Sequence, residues 1–210
     1  MINGARFYIF VSILLFSTFS SYANSAGKVN PQVSQAAVAI PDKYAAKVAE
    51  DILLAGGNAV DAAIATGFAL AVTYIDAGNI GGGGFMLIYI DGKALFLDYR
   101  ETAPLTAHRD MYLNDEKAVI QNLSLIGAKA PGVPGTVAGF WEAHQRFGKL
   151  SWSKLLAPAI KLAEEGFIPA NILVDDIQDH YQRFDGLTNF KSYFGSVEHG
   201  KKFKQPELAA

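Results

Sequence analysis

Apolar residues recur at three- and four-residue spacing after Pro41 and Asp42, which is the spacing of one face of a helix. Proline is favoured in the first turn of a helix, and aspartate can cap its N-terminus. Gly56 and Gly57 follow the last apolar position, where glycine commonly ends a helix. The sequence therefore predicts a helix whose buried face consists of Tyr44, Ala45, Val48, Ala49, Ile52 and Leu53.

A second helix is predicted to begin at Asn58, because Asp61 lies three residues later and the two can form a capping box. The segment that follows, AAIATGFALAVTY, is apolar all round and rich in alanine and glycine. Such a helix is buried on every side, and its small residues allow close packing. At about fifteen residues it is too short to span a membrane.

The stretch GNIGGGGFMLIYIDG, residues 78–92, places four glycines directly before an apolar run. Asp91-Gly92 separates that run from KALFLDYR, and an Asp-Gly pair between two β-runs predicts a hairpin. Phe85–Ile90 does not alternate between polar and apolar residues, so both faces of this strand are expected to be covered. The glycines are then interpreted as a close-packed entry to the strand.

Helical patterns continue after the hairpin. Thr136 can cap a helix that ends at Gly148, and Ser151 can cap a second that ends at Gly166. A weaker helix and aromatic-rich loops are predicted over Ile168–Phe194. Helices on both sides of a hairpin indicate layers of helix packed against a sheet, an α/β (α+β) fold.

The two ends of the chain suggest its domain organisation. Residues 1–23 combine one charge, an apolar run and small residues before a cleavage position, which predicts a signal peptide; an uncleaved anchor is the alternative. Residues 24–40 are interpreted as the N-terminal arm of the mature protein, and residues 41–210 as one partial domain. Pro206–Ala210 resembles the first turn of a helix, so the sequence predicts a truncated domain.

Composition and charge exclude several classes of protein. Half of the 210 residues are hydrophobic and 12% are aromatic, which excludes a disordered chain. Lys and Arg number 18 against 20 Asp and Glu, with no basic block, so no nucleic-acid partner is expected. Cysteine is absent, and an exported chain without disulfides fits a periplasmic or secreted bacterial protein.

No cofactor or metal site is predicted. The glycines precede a strand rather than a helix, no Gly-Lys-Ser/Thr follows them, and Met86 occupies the last glycine position of a dinucleotide fingerprint. The four histidines are widely spaced and no HExxH occurs, which argues against metal ligation. A serine hydrolase is unsupported because the sequence contains no GxSxG.

Arg100 is the candidate binding residue. It follows the second predicted strand, at what the sequence suggests is the far end of the hairpin from the glycines. A guanidinium there can grip a carboxylate through its planar fork of donors. The alternative is a surface ion pair with Asp98 or Glu101, and the residues alone favour that alternative.

Five segments that occur in the same order as in a known family shift the balance for Arg100 from a surface ion pair toward a carboxylate-binding role. GGNAVDAAIA from Gly56, GNIGGGGFML from Gly78, LDYRETAP from Leu97, PGVPGTVAGF from Pro131 and LLAPAIKLAEEGF from Leu155 together resemble the γ-glutamyltranspeptidases, or glutathione hydrolases. The resemblance implies an N-terminal-nucleophile hydrolase with a four-layer α-β-β-α sandwich. It also implies a precursor that cleaves itself into large and small subunits, and Arg100 matches the family's arginine for the substrate α-carboxylate.

The resemblance further implies glutathione and other γ-glutamyl compounds as substrates, with water or an amino acid as acceptor. The residues themselves predict no stable membrane insertion, because the apolar segments are too short for a spanning helix. The nucleophile would be the N-terminal threonine of the small subunit, with its own α-amine as base. The family's Thr-Thr-His cleavage segment is absent from these residues, so no catalytic residue is expected here and the chain alone is expected to be inactive. Two alternatives are an exported module that binds glutamate through Arg100 and a non-functional remnant.

Overall fold

The computed structural model describes residues 36–184 and 186–210. The predicted signal peptide, residues 1–23, and most of the predicted arm, residues 24–40, lie outside the described residues. Export therefore stays a prediction from the sequence. No helix among the described residues is both long enough and apolar enough to cross a membrane.

Helix α1, Lys43–Leu54, forms as the apolar spacing predicts. The Asp42 carboxylate accepts a hydrogen bond from the Ala45 N–H at 2.8 Å and thereby caps the helix. The same oxygen accepts from the Thr73 hydroxyl at 2.8 Å, which ties the start of this helix to a residue 31 positions later. Gly56 takes a φ of +87°, the left-handed conformation that ends the helix. The buried positions are Ala45, Val48, Ala49 and Ile52.

Helix α2, Ala59–Thr73, is largely buried, close to the prediction, although Ala59 and Ala63 are exposed. Its capping box is present: the Asp61 N–H donates to Asn58 Oδ1 at 2.9 Å, and the Asn58 N–H donates to Asp61 Oδ2 at 3.0 Å. The Asp61 side chain has no exposed surface. Its carboxylate also accepts the backbone N–H groups of Lys149 and Leu150, at 3.0–3.3 Å. Asp61 therefore both caps its own helix, as the sequence predicts, and binds the loop at Lys149 and Leu150.

The predicted hairpin consists of β1, Phe85–Ile90, and β2, Lys93–Asp98, paired antiparallel with Phe85 opposite Asp98. Asp91 and Gly92 have φ values of 50° and 75°. Positive φ at both central residues characterises the two-residue turns that match the twist of paired strands. The Asp-Gly prediction is confirmed.

The prediction that both faces of β1 are covered is wrong. Ile88 is 7% exposed, whereas Phe85, Leu87 and Tyr89 are 55%, 76% and 77% exposed. The described helices cover only one face of the hairpin, so alternate side chains of an unbroken apolar run are left uncovered. Hydrophobicity alone did not reveal this, because an apolar residue can occupy either face of a strand.

Five helices follow the hairpin in the described part of the chain. They are α3, Thr136–Phe147; α4, Trp152–Glu165; α5, Asn171–Phe184; α6, Phe190–Phe194; and α7, Pro206–Ala209. The helix predicted within Ile168–Phe194 is present, and a proline begins the last helix as predicted.

The predicted Thr136 cap is wrong, and the predicted Ser151 cap has the right position but lacks a side-chain capping bond. Gly135 occupies the N-cap of α3, and the Thr136 hydroxyl bonds to Asn79 instead of capping. Ser151 does precede α4, but its side chain makes no capping bond and lies 3.3 Å from the hydroxyl oxygen of Ser153. Both hydroxyls have alternative partners that helix patterns do not reveal.

Helix α2 is the centre of the packing within Val38–Ala210, which form one compact unit. It contacts α1, α3 and α4, while α3 contacts β2 and α4 contacts α7. Phe68 of α2 meets the rings of Phe140 and Trp152 edge-on, at centroid distances of 5.3 and 5.4 Å. The result is a helical layer on one face of a two-stranded sheet.

Candidate active-site cleft

Arg100 lies two residues beyond the end of β2 and is exposed. Its backbone N–H donates to Asp98 Oδ1 at 3.1 Å. The guanidinium carbon lies 5.9 Å from the ring centroid of Phe85, within the range of a cation–π contact. Within residues 36–184 and 186–210 the guanidinium makes no ion pair, so the predicted surface pair with Asp98 or Glu101 does not form.

A cleft of ≈ 310 Å³ opens beside Arg100, and we call it the Arg100 cleft. It is lined by residues 97–100 and 133–135, by Thr102, and by one side of α3 that includes Glu142. Arg100 is the one basic residue among the described residues that line it. The acidic Glu142 is 3.7 Å from Arg146 on the same helix. The cleft therefore offers a carboxylate ligand one cationic contact, at its rim, beside two acidic residues, Asp98 and Glu142.

The glycine run and Arg100 lie at the same end of the hairpin, contrary to the expectation from sequence order. The Tyr99 N–H donates to the Gly84 carbonyl at 3.0 Å, which extends the pairing of the two strands. A Cβ atom placed on Gly83 would lie 2.7 Å from Arg100 Cα. Antiparallel pairing explains the difference, because the start of β1 is opposite the end of β2.

Asn79 is a residue of this region that no sequence pattern singles out. Its Oδ1 accepts the Gly82 N–H at 2.9 Å and the Thr136 hydroxyl at 2.6 Å. The Gly82 carbonyl in turn accepts the N–H groups of Gly135 and Thr136, at 2.8 and 3.1 Å. An asparagine three residues before a glycine indicates a local turn, but no sequence pattern connects it to a threonine 57 residues later.

Tyr99 is a half-buried lining residue of the Arg100 cleft. Its ring meets Phe140 edge-on at 5.7 Å, and its hydroxyl donates to the Phe85 carbonyl at 3.3 Å. Burial raises the pKa of the Tyr99 hydroxyl above its ordinary value, because the charged form is poorly solvated there. This hydroxyl is therefore a neutral donor at physiological pH.

Nothing in the described ranges brings together three or more His, Asp or Glu side chains as a metal site. The His144 ring makes a 2.8 Å hydrogen bond with the Leu150 carbonyl, and His199 lies 2.9 Å from Asp175. These contacts account for both rings as local structural groups.

Two glycines of the run provide a matched pair for testing how closely it packs. A Cβ at Gly83 would approach Arg100 Cα at 2.7 Å, whereas a Cβ at Gly81 would meet nothing within 4 Å. Gly83→Ala is expected to lower the free energy of unfolding by about 1–3 kcal/mol, and Gly81→Ala to change it by less than about 1 kcal/mol. Urea unfolding of both variants measures the difference. Equal losses in the two variants would contradict the packing described.

A comparison with protein families decides the affiliation of the chain. The family model for gamma-glutamyltranspeptidase matches residues 45–210. The chain belongs to the γ-glutamyltranspeptidase family. The resemblance inferred from the five segments is thereby confirmed.

Curated members of the γ-glutamyltranspeptidase family match at high identity. The chain is 63% identical over 173 residues to the glutathione hydrolase proenzyme of Pseudomonas aeruginosa, covering 82% of this chain and 31% of that protein. It is 48% identical over 150 residues to the glutathione hydrolase proenzyme of Escherichia coli, covering 71% of this chain and 26% of that protein. The chain thus spans less than a third of the length of these relatives.

Solved γ-glutamyltranspeptidases share its fold. The enzyme from Pseudomonas nitroreducens, complexed with L-DON, superposes with a TM-score of 0.80 at 64% identity, covering 83% of this chain and 52% of that chain. The enzyme from Helicobacter pylori superposes with a TM-score of 0.79 at 40% identity, covering 84% of this chain and 52% of that chain. These are N-terminal-nucleophile hydrolase folds. The described residues form an incomplete part of that α+β sandwich, which confirms the predicted fold class.

Proposed function

We propose that this chain is the N-terminal part of the large subunit of a glutathione hydrolase, a γ-glutamyltranspeptidase. The observation that carries the proposal is its 63% identity, over 173 residues, to a protein named glutathione hydrolase proenzyme. The substrates would be glutathione and related γ-glutamyl compounds. The rest of the precursor, including the small subunit, would be the partner of this segment.

Arg100 is proposed to bind the α-carboxylate of the γ-glutamyl group. The guanidinium is exposed at the rim of a concave cleft and makes no ion pair among the described residues. Its planar fork can give a carboxylate two parallel hydrogen bonds, which fix orientation as well as position. The backbone on both sides of Arg100 is held by strand pairing and packing. The Cα atom from which the guanidinium extends is therefore fixed in position.

The covalent chemistry is assigned to the remainder of the precursor. A threonine hydroxyl there would attack the γ-carbonyl carbon, the amide C–N bond would break, and the proton from the hydroxyl would go to the departing amine. Water or the amine of an acceptor amino acid would then cleave the resulting ester and release the glutamyl group. In this scheme the present chain contributes binding and orientation of the substrate.

A chimera tests the proposal. Residues 1–210 of this chain would replace the matching N-terminal segment of the Pseudomonas aeruginosa proenzyme, and a chromogenic γ-glutamyl amide would serve as substrate. The chimera is expected to cleave itself and to turn over the amide, whereas the 210-residue chain alone is expected to show no turnover. Recovery of the chimera in the periplasmic fraction would support the export that residues 1–23 predict.

Either of two results would count against the proposal. A chimera that cleaves itself into subunits but does not hydrolyse the γ-glutamyl amide would contradict the proposed substrate class. Turnover by the 210-residue chain alone would contradict the assignment of the nucleophile to another segment. Self-cleavage is visible by gel electrophoresis, so a misfolded chimera is distinguished from a folded but inactive one.

A further inference from the structure

The backbone of Arg100 is confined between two glycines from different parts of the chain. A Cβ atom on Gly83 would lie 2.7 Å from Arg100 Cα, and one on Gly135 would overlap the Tyr99 carbonyl oxygen and lie 2.9 Å from the Arg100 carbonyl oxygen. Contacts this close leave no room for a side chain on either glycine. The position of Arg100 therefore depends on how the segments that contain Gly83 and Gly135 are held together.

Asn79 and Thr136 hold those two segments together. Asn79 Oδ1 accepts the Gly82 N–H at 2.9 Å on one segment and the Thr136 hydroxyl at 2.6 Å on the other. The Gly82 carbonyl accepts the N–H groups of Gly135 and Thr136. Thr136 is only 3% exposed, so water cannot readily replace its bond to Asn79.

We propose that Asn79 is a positioning residue for substrate binding, which acts through Arg100 by holding the two glycine segments against its backbone. This inference rests on the proposed role of Arg100. The guanidinium has no ion pair among the described residues to steer it, and the cation–π contact with Phe85 is a weak restraint at 5.9 Å. The backbone is therefore the main determinant of where the guanidinium can reach. A small displacement of such a group can reduce the rate of an enzyme about a hundredfold.

Three variants of the chimera separate positioning from simple stability. Asn79→Ala removes the acceptor, and Asn79→Asp keeps both acceptor functions at nearly the same shape. Thr136→Val removes the opposing donor and leaves an apolar group of similar size. Asn114→Ala is the matched control, because Asn114 Oδ1 also accepts two backbone N–H groups but lies on an exposed loop outside the Arg100 cleft.

Each Asn79 variant would be measured in two backgrounds, one with Arg100 and one with Arg100→Ala. With Arg100 present, Asn79→Ala is expected to raise KM for the γ-glutamyl amide about tenfold to a hundredfold, with a smaller change in kcat. In the Arg100→Ala background the same change is expected to alter KM by less than about twofold, because the group being positioned is gone. Asn79→Asp should stay within about threefold of the parent, and Asn114→Ala within about twofold.

The kinetic results distinguish failure of the positioning role of Asn79 from failure of the proposed carboxylate clamp. An Asn79→Ala effect that is equally large in both backgrounds, or that is absent from both, overturns the positioning role while leaving the function of Arg100 intact. If Arg100→Ala alone leaves KM and kcat unchanged, the proposed clamp fails, and the role of Asn79 fails with it. If Asn79→Ala does not fold, Thr136→Val in the same two backgrounds decides in the same way.

Discussion

Replacing Arg100 with alanine is expected to lower kcat/KM for a γ-glutamyl amide by about 30-fold to several thousand-fold in the chimera. Removing one member of a hydrogen-bonded charge pair costs about 2–5 kcal/mol, and each 1.36 kcal/mol corresponds to about tenfold in rate. The lower end of this range applies if the cleft stays as open to water as the exposure of Arg100 indicates here. Steady-state kinetics with the chromogenic amide measure the loss.

Two further variants are needed to interpret the Arg100→Ala result: one keeps the charge at position 100, and the other removes an arginine elsewhere on the surface. Arg100→Lys keeps the positive charge but loses the planar fork, so an intermediate loss is expected. Arg109→Ala is the matched control, because Arg109 is 95% exposed, pairs with Asp110 and is not among the residues that line the Arg100 cleft. An Arg100→Ala enzyme as active as the Arg109→Ala enzyme would rule out the carboxylate clamp.

Asp61→Ala is expected to lower the free energy of unfolding by about 3–5 kcal/mol. The fully buried carboxylate accepts the backbone N–H groups of Asn58, Lys149 and Leu150. Alanine would leave these donors without a partner, and each buried unsatisfied group costs about 1–3 kcal/mol. Urea unfolding of the 210-residue chain, followed by circular dichroism, measures the change.

Asp51→Ala serves as the control for charge removal. Asp51 is on the exposed side of α1, where its carboxylate pairs with Lys47 and its side chain is 56% exposed. Loss of such a surface pair should cost less than about 1 kcal/mol. Asp61→Asn retains one acceptor oxygen and should fall between Asp61→Ala and the parent. If Asp61→Ala and Asp51→Ala unfold at the same urea concentration, the bridging role of Asp61 is contradicted.

Features set by neighbouring residues were predictable from the sequence. The capping box of Asn58 and Asp61 requires only a three-residue spacing, and the turn at Asp91-Gly92 requires only two residues that accept positive φ. The buried face of α1 follows from its apolar spacing, and the extensive burial of α2 follows from a segment that is apolar all round. Arg100 emerged as a candidate because its residue type and its place at the end of a strand are both local facts.

Features that depend on distant partners were not predictable. Thr136 was expected to cap its own helix, but its hydroxyl bonds to Asn79, 57 residues earlier. The second role of Asp61, which binds the N–H of Lys149 88 residues later, had no sequence pattern to reveal it. The uncovered face of β1 belongs to the same class, because coverage depends on which element packs there and not on the strand's own residues.

Arg100 has a backbone held firmly by its surroundings and a side chain with no ion pair in the described structure. Its charge therefore contributes little to folding, while the placement of its Cα atom is determined by glycines on both sides. A protein near its stability threshold accepts substitutions most readily where the side chain does not contribute to the stability of the fold. Ligand preference at this rim could therefore diverge during evolution with little penalty to the fold beneath it.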